Sequence, residues 1–121
     1  MFCKAKIMQE NNTKIYYKLY QLTKHMYGVV RNFDKEYKYA IGKDIIDLLW
    51  RCLDLAIEAN TSSNENKKPV IIELSLAFEK VKTRVQMSQE IKLLTARQFA
   101  YLQEEFMLEI GKMIGGWSKW C

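Results

Sequence analysis

Apolar side chains recur along the chain at alternating steps of three and four residues, the spacing that keeps one face of an α-helix apolar. Four such stripes are separated by polar or turn-forming residues, so the pattern predicts four amphipathic helices and no sheet. The predicted core positions, in chain order, are Ile15, Leu19, Leu22, Met26, Val29 and Phe33; Ile41, Ile45, Leu48, Cys52, Leu55 and Ala59; Ile71 or Ile72, Leu74, Phe78, Val81, Val85, Ser88 and Ile91; and Phe99, Leu102, Phe106, Ile110, Met113 and Trp117.

Polar residues mark the ends of the first three helices. Asn12 or Thr13 can cap the first helix, which is predicted to reach Phe33, and Asp34 can cap the second after a turn over residues 32–34. Residues 60–68 have the only loop-like composition, so the third helix is expected to begin with Pro69 at its first position.

The fourth helix has the clearest start signal in the chain. Thr95 and Gln98 have the spacing of a capping box, in which the threonine hydroxyl accepts from the glutamine N–H and the glutamine side chain reaches back. Leu94 and Phe99 stand where a hydrophobic staple would place them. Gly115 and Gly116 are expected to end this helix or let it fray.

Four helices of roughly 20 residues with short connections predict an all-α, up-down-up-down four-helix bundle, a single domain over residues 12–121. Residues 1–11 are assigned to an N-terminal lead-in, for which disorder is one interpretation. Residues 68–72 resemble a strand locally, but no second strand is available to pair with it. The second helix carries additional apolar residues beside its stripe, which indicates contacts on two sides: Ile46, Leu49, Leu53, Ala56 and Ile57.

Composition narrows the cellular setting. With 121 residues and 49% hydrophobic content, the chain suits one core, and no apolar run approaches the roughly 18 residues needed to cross a bilayer. The first residues lack the apolar region of a signal peptide, so a cytoplasmic protein without membrane contact is expected. Cys3, Cys52 and Cys121 are widely spaced and are interpreted as free thiols, with Cys52 in the core.

No arrangement of residues predicts catalysis, a metal site or a cofactor. The single histidine, His25, is interpreted as a surface or boundary residue, and no Glu-x-x-His pair of a bundle metal centre is present. Phosphate-binding glycine motifs and a nucleophile with a base are also missing from the sequence. The acidic residues of the second helix are interpreted as a solvated, salt-bridged face rather than a catalytic one: Asp44, Asp47, Asp54 and Glu58, beside Lys43 and Arg51.

Positive charge is unevenly distributed over a chain of net charge +5. Residues 1–33 hold six basic side chains and one acidic, and residues 67–92 hold six and three, whereas residues 34–66 hold four and seven. Basic residues outside the apolar stripes, with tyrosines interleaved on the first helix, suit phosphate contacts with some base stacking. A solvated basic face with boundary tyrosines explains the same pattern. The candidate nucleic-acid-binding residues are Lys14, Lys18, Lys24 and Arg31 on the first helix, and Lys80, Lys82 and Arg84 on the third.

Three segments carry a family resemblance: FDKEYKYAIGKDI (Phe33–Ile45), EIKLLTARQFAYL (Glu90–Leu102) and EIGKMIGGW (Glu109–Trp117). From about Asn12 the chain resembles the accessory variability determinant proteins of diversity-generating retroelements. These fall within a four-helix-bundle family that also includes proteins encoded in intervening sequences of bacterial 23S rRNA genes. That second branch usually has Ser-Ile-Pro and Ala-Glu-Gly where this chain reads WRCLDLAIEAN (Trp50–Asn60), which favours the retroelement branch. Asp34 departs from both branches, which often have proline there.

The resemblance implies a ring-shaped homopentamer with basic surfaces that binds a reverse transcriptase and template RNA or cDNA during mutagenic copying. The leading hypothesis is therefore a non-catalytic accessory subunit. The alternative is a structural or protein-interaction oligomer of the rRNA intervening-sequence type, in which the basic charge is incidental and nucleic acid has no role. A neighbouring reverse transcriptase gene with a template repeat would distinguish the two.

Overall fold

A computed structural model describes the backbone of residues 2–120 and the side chains of residues 14–117. Within those residues the chain forms helices and no strands. The first helix, α1, spans Phe2–Val30, and the third, α3, spans Asn64–Glu90. The second, α2, comprises a turn at Lys35–Tyr37, a π-helical segment at Lys38–Gly42 and a long part at Lys43–Thr61. The fourth, α4, comprises Ala96–Leu102, a π-helical segment at Gln103–Met107 and Leu108–Trp120.

The four helices pack in the predicted up-down-up-down order. Helix α2 contacts both α1 and α3, and α4 contacts the same two helices from the other side. Helices α1 and α3 therefore lie on one diagonal of the bundle, with α2 and α4 on the other. None of the described helices has a segment long and apolar enough to span a lipid bilayer.

The core follows the predicted stripes closely. All six core positions predicted on the first helix are buried, and Trp117 and Phe78 are among the largest fully buried side chains. Of the two candidates at the start of the third stripe, Ile71 is buried and Ile72 is exposed. The predicted positions that are less enclosed are Ile41, Leu48, Phe99 and Met113, which are half-buried, and Ile91, which is exposed.

The broad apolar face of the second helix is mostly used within the bundle. Its additional residues Ile46, Leu49, Leu53 and Ala56 are buried because α2 packs against α1 and α3 together. The predicted contacts on two sides are confirmed, and both sides belong to the same chain. Only Ile57 of this additional set remains exposed, at 47%.

The predicted loop over residues 60–68 is wrong. Helix α2 continues to Thr61 and α3 begins at Asn64, so Pro69 lies inside α3 rather than at its first position. Ser63 takes the N-cap position with extended backbone, and its carbonyl accepts from the N–H groups of Asn66 and Lys67 at 3.0 and 3.1 Å. Asparagine and serine suit both loops and helix starts, so polar composition did not distinguish an exposed first turn from a loop.

Other predicted helix ends also shift. Helix α1 ends at Val30 and α4 continues through its two glycines to Trp120, whereas the sequence predicted ends at Phe33 and near residue 115. The turn over residues 32–34 is confirmed, and Asp34 takes the N-cap position of α2 without a side-chain cap hydrogen bond. Helix α1 begins before Thr13. The predicted N-cap at Asn12 or Thr13 is wrong, because both residues lie inside α1, which begins at Phe2. The assignment of residues 1–11 as a lead-in stays a prediction.

The capping box at the start of α4 is confirmed. The Gln98 backbone N–H donates to Thr95 Oγ1 at 3.0 Å, and the Thr95 N–H donates to Gln98 Oε1 at 2.9 Å. The chain enters it from a left-handed residue, Lys92, whose φ is 66°. The N–H groups of Lys92 and Leu93 donate to the carbonyls of Gln89 and Ser88 at 3.1 and 2.8 Å, the pattern of a Schellman motif. These bonds set the sharp connection between α3 and α4.

A glycine allows the close approach of α1 and α2. Gly42 is buried at the end of the first π-helical segment, and a Cβ atom built on it would lie 2.6 Å from Val30 Cγ1. The same atom would lie 3.4 Å from the Phe33 ring and from the Tyr37 carbonyl oxygen. A β-branched side chain such as Val30 has little rotamer freedom on a helix, so a side chain at Gly42 would force Val30 or the adjoining backbone to shift.

Gly42→Ala should lower the free energy of unfolding by about 1–3 kcal/mol, the usual cost of overpacking a core. Gly28→Ala is the matched control, since no atom lies within 4 Å of a Cβ built at Gly28. Alanine is the better helix former, so this variant should gain up to about 1 kcal/mol. Urea denaturation at one protein concentration measures both. Equal effects of the two substitutions would contradict a steric role for Gly42.

Thr95→Ala should lower the free energy of unfolding by about 1 kcal/mol, because it removes the acceptor of the capping box. Thr83→Ala is the control: Thr83 lies mid-helix on α3, where its hydroxyl donates only to the Glu79 carbonyl at 3.0 Å. That variant should keep or slightly raise the urea midpoint. A Thr95→Ala midpoint equal to that of the parent protein would mean that the capping box adds nothing to stability.

Candidate nucleic-acid interface

The four basic residues predicted on α1 have different surroundings. Lys14, Lys24 and Arg31 are exposed. Lys18 is half-buried, and its Nζ lies 3.1 Å from the Glu109 carboxylate on α4. Lys18 therefore joins α1 to α4, and a phosphate would have to compete with Glu109 for its ammonium group.

Two of the three basic residues predicted on α3 form ion pairs. Lys82 Nζ lies 2.8 Å from Glu79 Oε1, and Arg84 Nε lies 3.7 Å from Asp44 Oδ2 on α2. Lys80 is exposed and forms no ion pair with any described side chain. Exposed ion pairs of this kind contribute only about 0–1 kcal/mol, so they are easily broken, but they reduce the positive potential of this face.

The acidic face predicted on the second helix is confirmed as salt-bridged at Asp44 and Asp47. Asp44 pairs with Arg84, and Asp47 Oδ2 lies 2.6 Å from Lys43 Nζ. Arg51 on α2 also pairs across to Glu73 on α3, at 3.3 Å. Acidic and basic side chains therefore alternate over the surface between α2 and α3.

The seven predicted binding residues do not converge on one surface. Helices α1 and α3 are diagonal, so their basic residues lie on two separate faces of the chain.

Of the residues that sequence reasoning missed, Lys38 and Lys43 line a groove together with Arg31. They were overlooked because residues 34–66 are acidic on average. The spacing of Tyr27 with Arg31, and of Tyr39 with Lys43, four residues in each case, was the signal that could have identified them.

The tyrosines of α1 divide between the core boundary and the surface. Tyr16 is half-buried against the core, with its ring centre 6.3 Å from that of Tyr20. Tyr17, Tyr20 and Tyr27 are exposed. The Tyr27 hydroxyl accepts a hydrogen bond from Trp50 Nε1 on α2 at 2.8 Å. Tyr16 thus fits the boundary interpretation, whereas the other three present aromatic surface to solvent.

His25 occupies a boundary position between aromatic rings. Its ring centre lies 5.0 Å from that of Tyr101 and 5.6 Å from that of Phe106, and partial burial lowers the pKa of His25. Among the described residues, no three His, Cys, Asp or Glu side chains are grouped so that they could hold a metal ion.

The Cys52 thiol is buried in the core, as the sequence predicted. Burial raises the pKa of Cys52 to about 12, so the reactive thiolate form is absent near neutral pH. The side chains of Cys3 and Cys121 lie outside the described residues, and their interpretation as free thiols stays a prediction.

Comparison with known proteins agrees with the resemblance in the sequence. The family model described as bAvd-like matches residues 13–121. The chain belongs to the bAvd-like family. The match begins within α1 and includes the other three helices, and it indicates an Avd-type accessory protein. The comparisons with curated proteins and with solved structures found no match.

Proposed function

We propose that this protein is the cytoplasmic accessory subunit of a diversity-generating retroelement. It binds the reverse transcriptase of the element and holds its template RNA or cDNA during mutagenic retrohoming, without catalysing the copying. The observation that carries this proposal is the bAvd-like match, which extends over residues 13–121 and so includes parts of all four helices.

The charge distribution supports a nucleic-acid role. The chain has net charge +5, and several cations project from its helices into solvent. Lysine and arginine without a base-reading motif favour phosphate contacts, which give binding that depends on salt and little on sequence. Lys14, Lys24, Arg31 and Lys80 are the first candidates, because each is exposed. Lys18, Lys82 and Arg84 contribute less, since each must first leave its carboxylate partner.

A ring-shaped homopentamer would bring the separate basic faces together. One subunit presents its α1 and α3 cations on opposite sides, so a continuous basic track needs neighbouring subunits. The outer side of α3 also carries large apolar side chains at helical spacing, with Ile72 46%, Leu76 57% and Met87 49% exposed. A row of this kind is a suitable contact surface for a neighbouring copy.

A structural or protein-interaction oligomer is the second candidate function. It is favoured by the ion pairs of Lys18, Lys82 and Arg84, which leave fewer cations available to a polyanion than the sequence suggests. Under this function the bundle would assemble in the same way and would bind no nucleic acid.

The protein should have the mass of a homopentamer, about 72 kDa from five copies of a 14.4 kDa chain, by light scattering on a sizing column. Leu76→Glu should lower that mass, because it places a charge within the apolar row of α3. Leu108→Glu is the control. Leu108 on α4 is 58% exposed, but Glu104 and Glu105 lie one helical turn before it, so it is not part of an apolar row. It should leave the mass unchanged. A monomeric parent protein at high concentration would contradict the pentamer.

The protein should co-purify with the co-expressed reverse transcriptase of its retroelement and should bind single-stranded RNA or DNA. Because phosphate contacts release counterions, binding should weaken steeply between about 50 and 200 mM salt. Pull-down and fluorescence anisotropy measure the two interactions. If neither partner binds at the lower salt concentration while the oligomer persists, the structural function is correct instead.

A further inference from the structure

A groove of about 590 Å³ opens between the C-terminal end of α1 and the start of α2. Val30 and Ile46 contribute apolar surface, and the residues that could recognise a ligand are Tyr27, Arg31, Lys38, Tyr39 and Lys43. No acidic side chain lines it among the described residues. It therefore combines three cations with two aromatic rings.

This groove differs in charge from its counterpart between α2 and α3. That larger groove, about 710 Å³, is lined by acidic and basic residues together, including Asp44, Asp47, Glu79 and Lys80. In the groove between α1 and α2, Lys43 pairs with Asp47, but Arg31 and Lys38 form no ion pair with any described side chain. Cations gathered beside apolar surface raise the local positive potential, so an anion is favoured there.

The aromatic rings are placed to contact a planar ligand. Tyr39 is 67% exposed, and Lys38 Nζ lies 6.0 Å from the centre of its ring. Tyr27 is held by the hydrogen bond from Trp50 Nε1, and its own hydroxyl proton remains free to donate to an oxygen of a ligand. An exposed ring beside a cation is the combination with which proteins stack a base and neutralise the adjoining phosphate.

Helix electrostatics alone does not account for this cluster. Arg31 follows the end of α1, where a cation interacts favourably with the helix dipole. The dipole of α1 does not explain Lys38, which lies in the first π-helical segment of α2. An acidic peptide would satisfy the cations, but it would make no use of the exposed ring of Tyr39.

We propose that this groove is a binding site for single-stranded nucleic acid. Arg31 and Lys38 contact consecutive phosphates, one base stacks on Tyr39, and the Tyr27 hydroxyl donates to a phosphate or sugar oxygen. The site rests on the nucleic-acid role proposed above and deepens it, because it places the main contacts with the strand at the end of α1 and the start of α2.

The test compares two double variants of equal charge change in the full-length protein. Arg31→Gln with Lys38→Gln removes two groove cations, and Lys68→Gln with Lys112→Gln removes two exposed cations that neither line the groove nor belong to the predicted binding residues. Binding of labelled single-stranded RNA and DNA of about 16 nucleotides is measured by anisotropy across a salt series. The groove variant should bind at least about tenfold more weakly and should lose roughly 1.4 from the log–log salt slope, the value for two phosphate contacts on a single strand. The control variant should change affinity less than about threefold.

A third variant, Tyr39→Leu, tests stacking. It should weaken binding of the oligonucleotide at least about fivefold and leave an abasic strand of the same length unaffected, since only the former has bases to stack. Circular dichroism and oligomer mass should match the parent protein for every variant.

Four outcomes separate the possibilities. Equal losses from the two double variants, with the parent protein binding, would overturn the groove and leave the nucleic-acid role standing. Equal effects of Tyr39→Leu on the normal and abasic strands would overturn stacking. Binding of a poly-glutamate peptide as tight as that of the oligonucleotide would overturn nucleic acid as the ligand. A parent protein that binds no strand at low salt would overturn the proposed function itself.

Discussion

The close approach of α1 and α2 at Gly42 is the contact on which the rest of the structure depends most. Because Gly42 has no side chain, Val30 packs directly against the start of α2, and the chain reverses within the few residues between the two helices. The reversal places α2 beside α1, where it can bury its broad apolar face between α1 and α3. Val30 also lines the groove, so the contact that positions the helices also brings Arg31 near Lys38 and Tyr39.

Packing determines which of the positive charges remain available. On α3, Arg84 pairs with Asp44 of α2, and Lys82 pairs with Glu79 of its own helix. Glu109 on α4 has the same effect on Lys18 of α1. Arg31 and Lys38 keep their charges unpaired in the groove between α1 and α2, which no described acidic side chain lines. That groove is therefore the place where a polyanion would meet several cations at once.

An accessory role agrees with the chemistry of this bundle. The interior is filled by apolar side chains, and its cysteine, Cys52, has a pKa too high to supply a thiolate near neutral pH. The surface offers cations, exposed tyrosines and an apolar row on α3, which are features suited to holding a polyanion and a neighbouring copy. Membership of the bAvd-like family links these surfaces to the retroelement function proposed above.

The sequence by itself determined the fold class, the core positions of α1 and the start of α4, because each depends on local spacing. Alternating steps of three and four define a helix face, and a capping box is complete within four residues, Thr95 to Gln98. The start of α3 was missed because the residues around Ser63 and Asn64 have similar preferences for loops and for helix starts. The sequence also could not predict which cations form ion pairs. Lys18 and Glu109, for example, lie on different helices and far apart in the chain. Only the tertiary structure decided that Arg31, Lys38 and Tyr39 share one groove, because that neighbourhood is created by the packing of Gly42 against Val30.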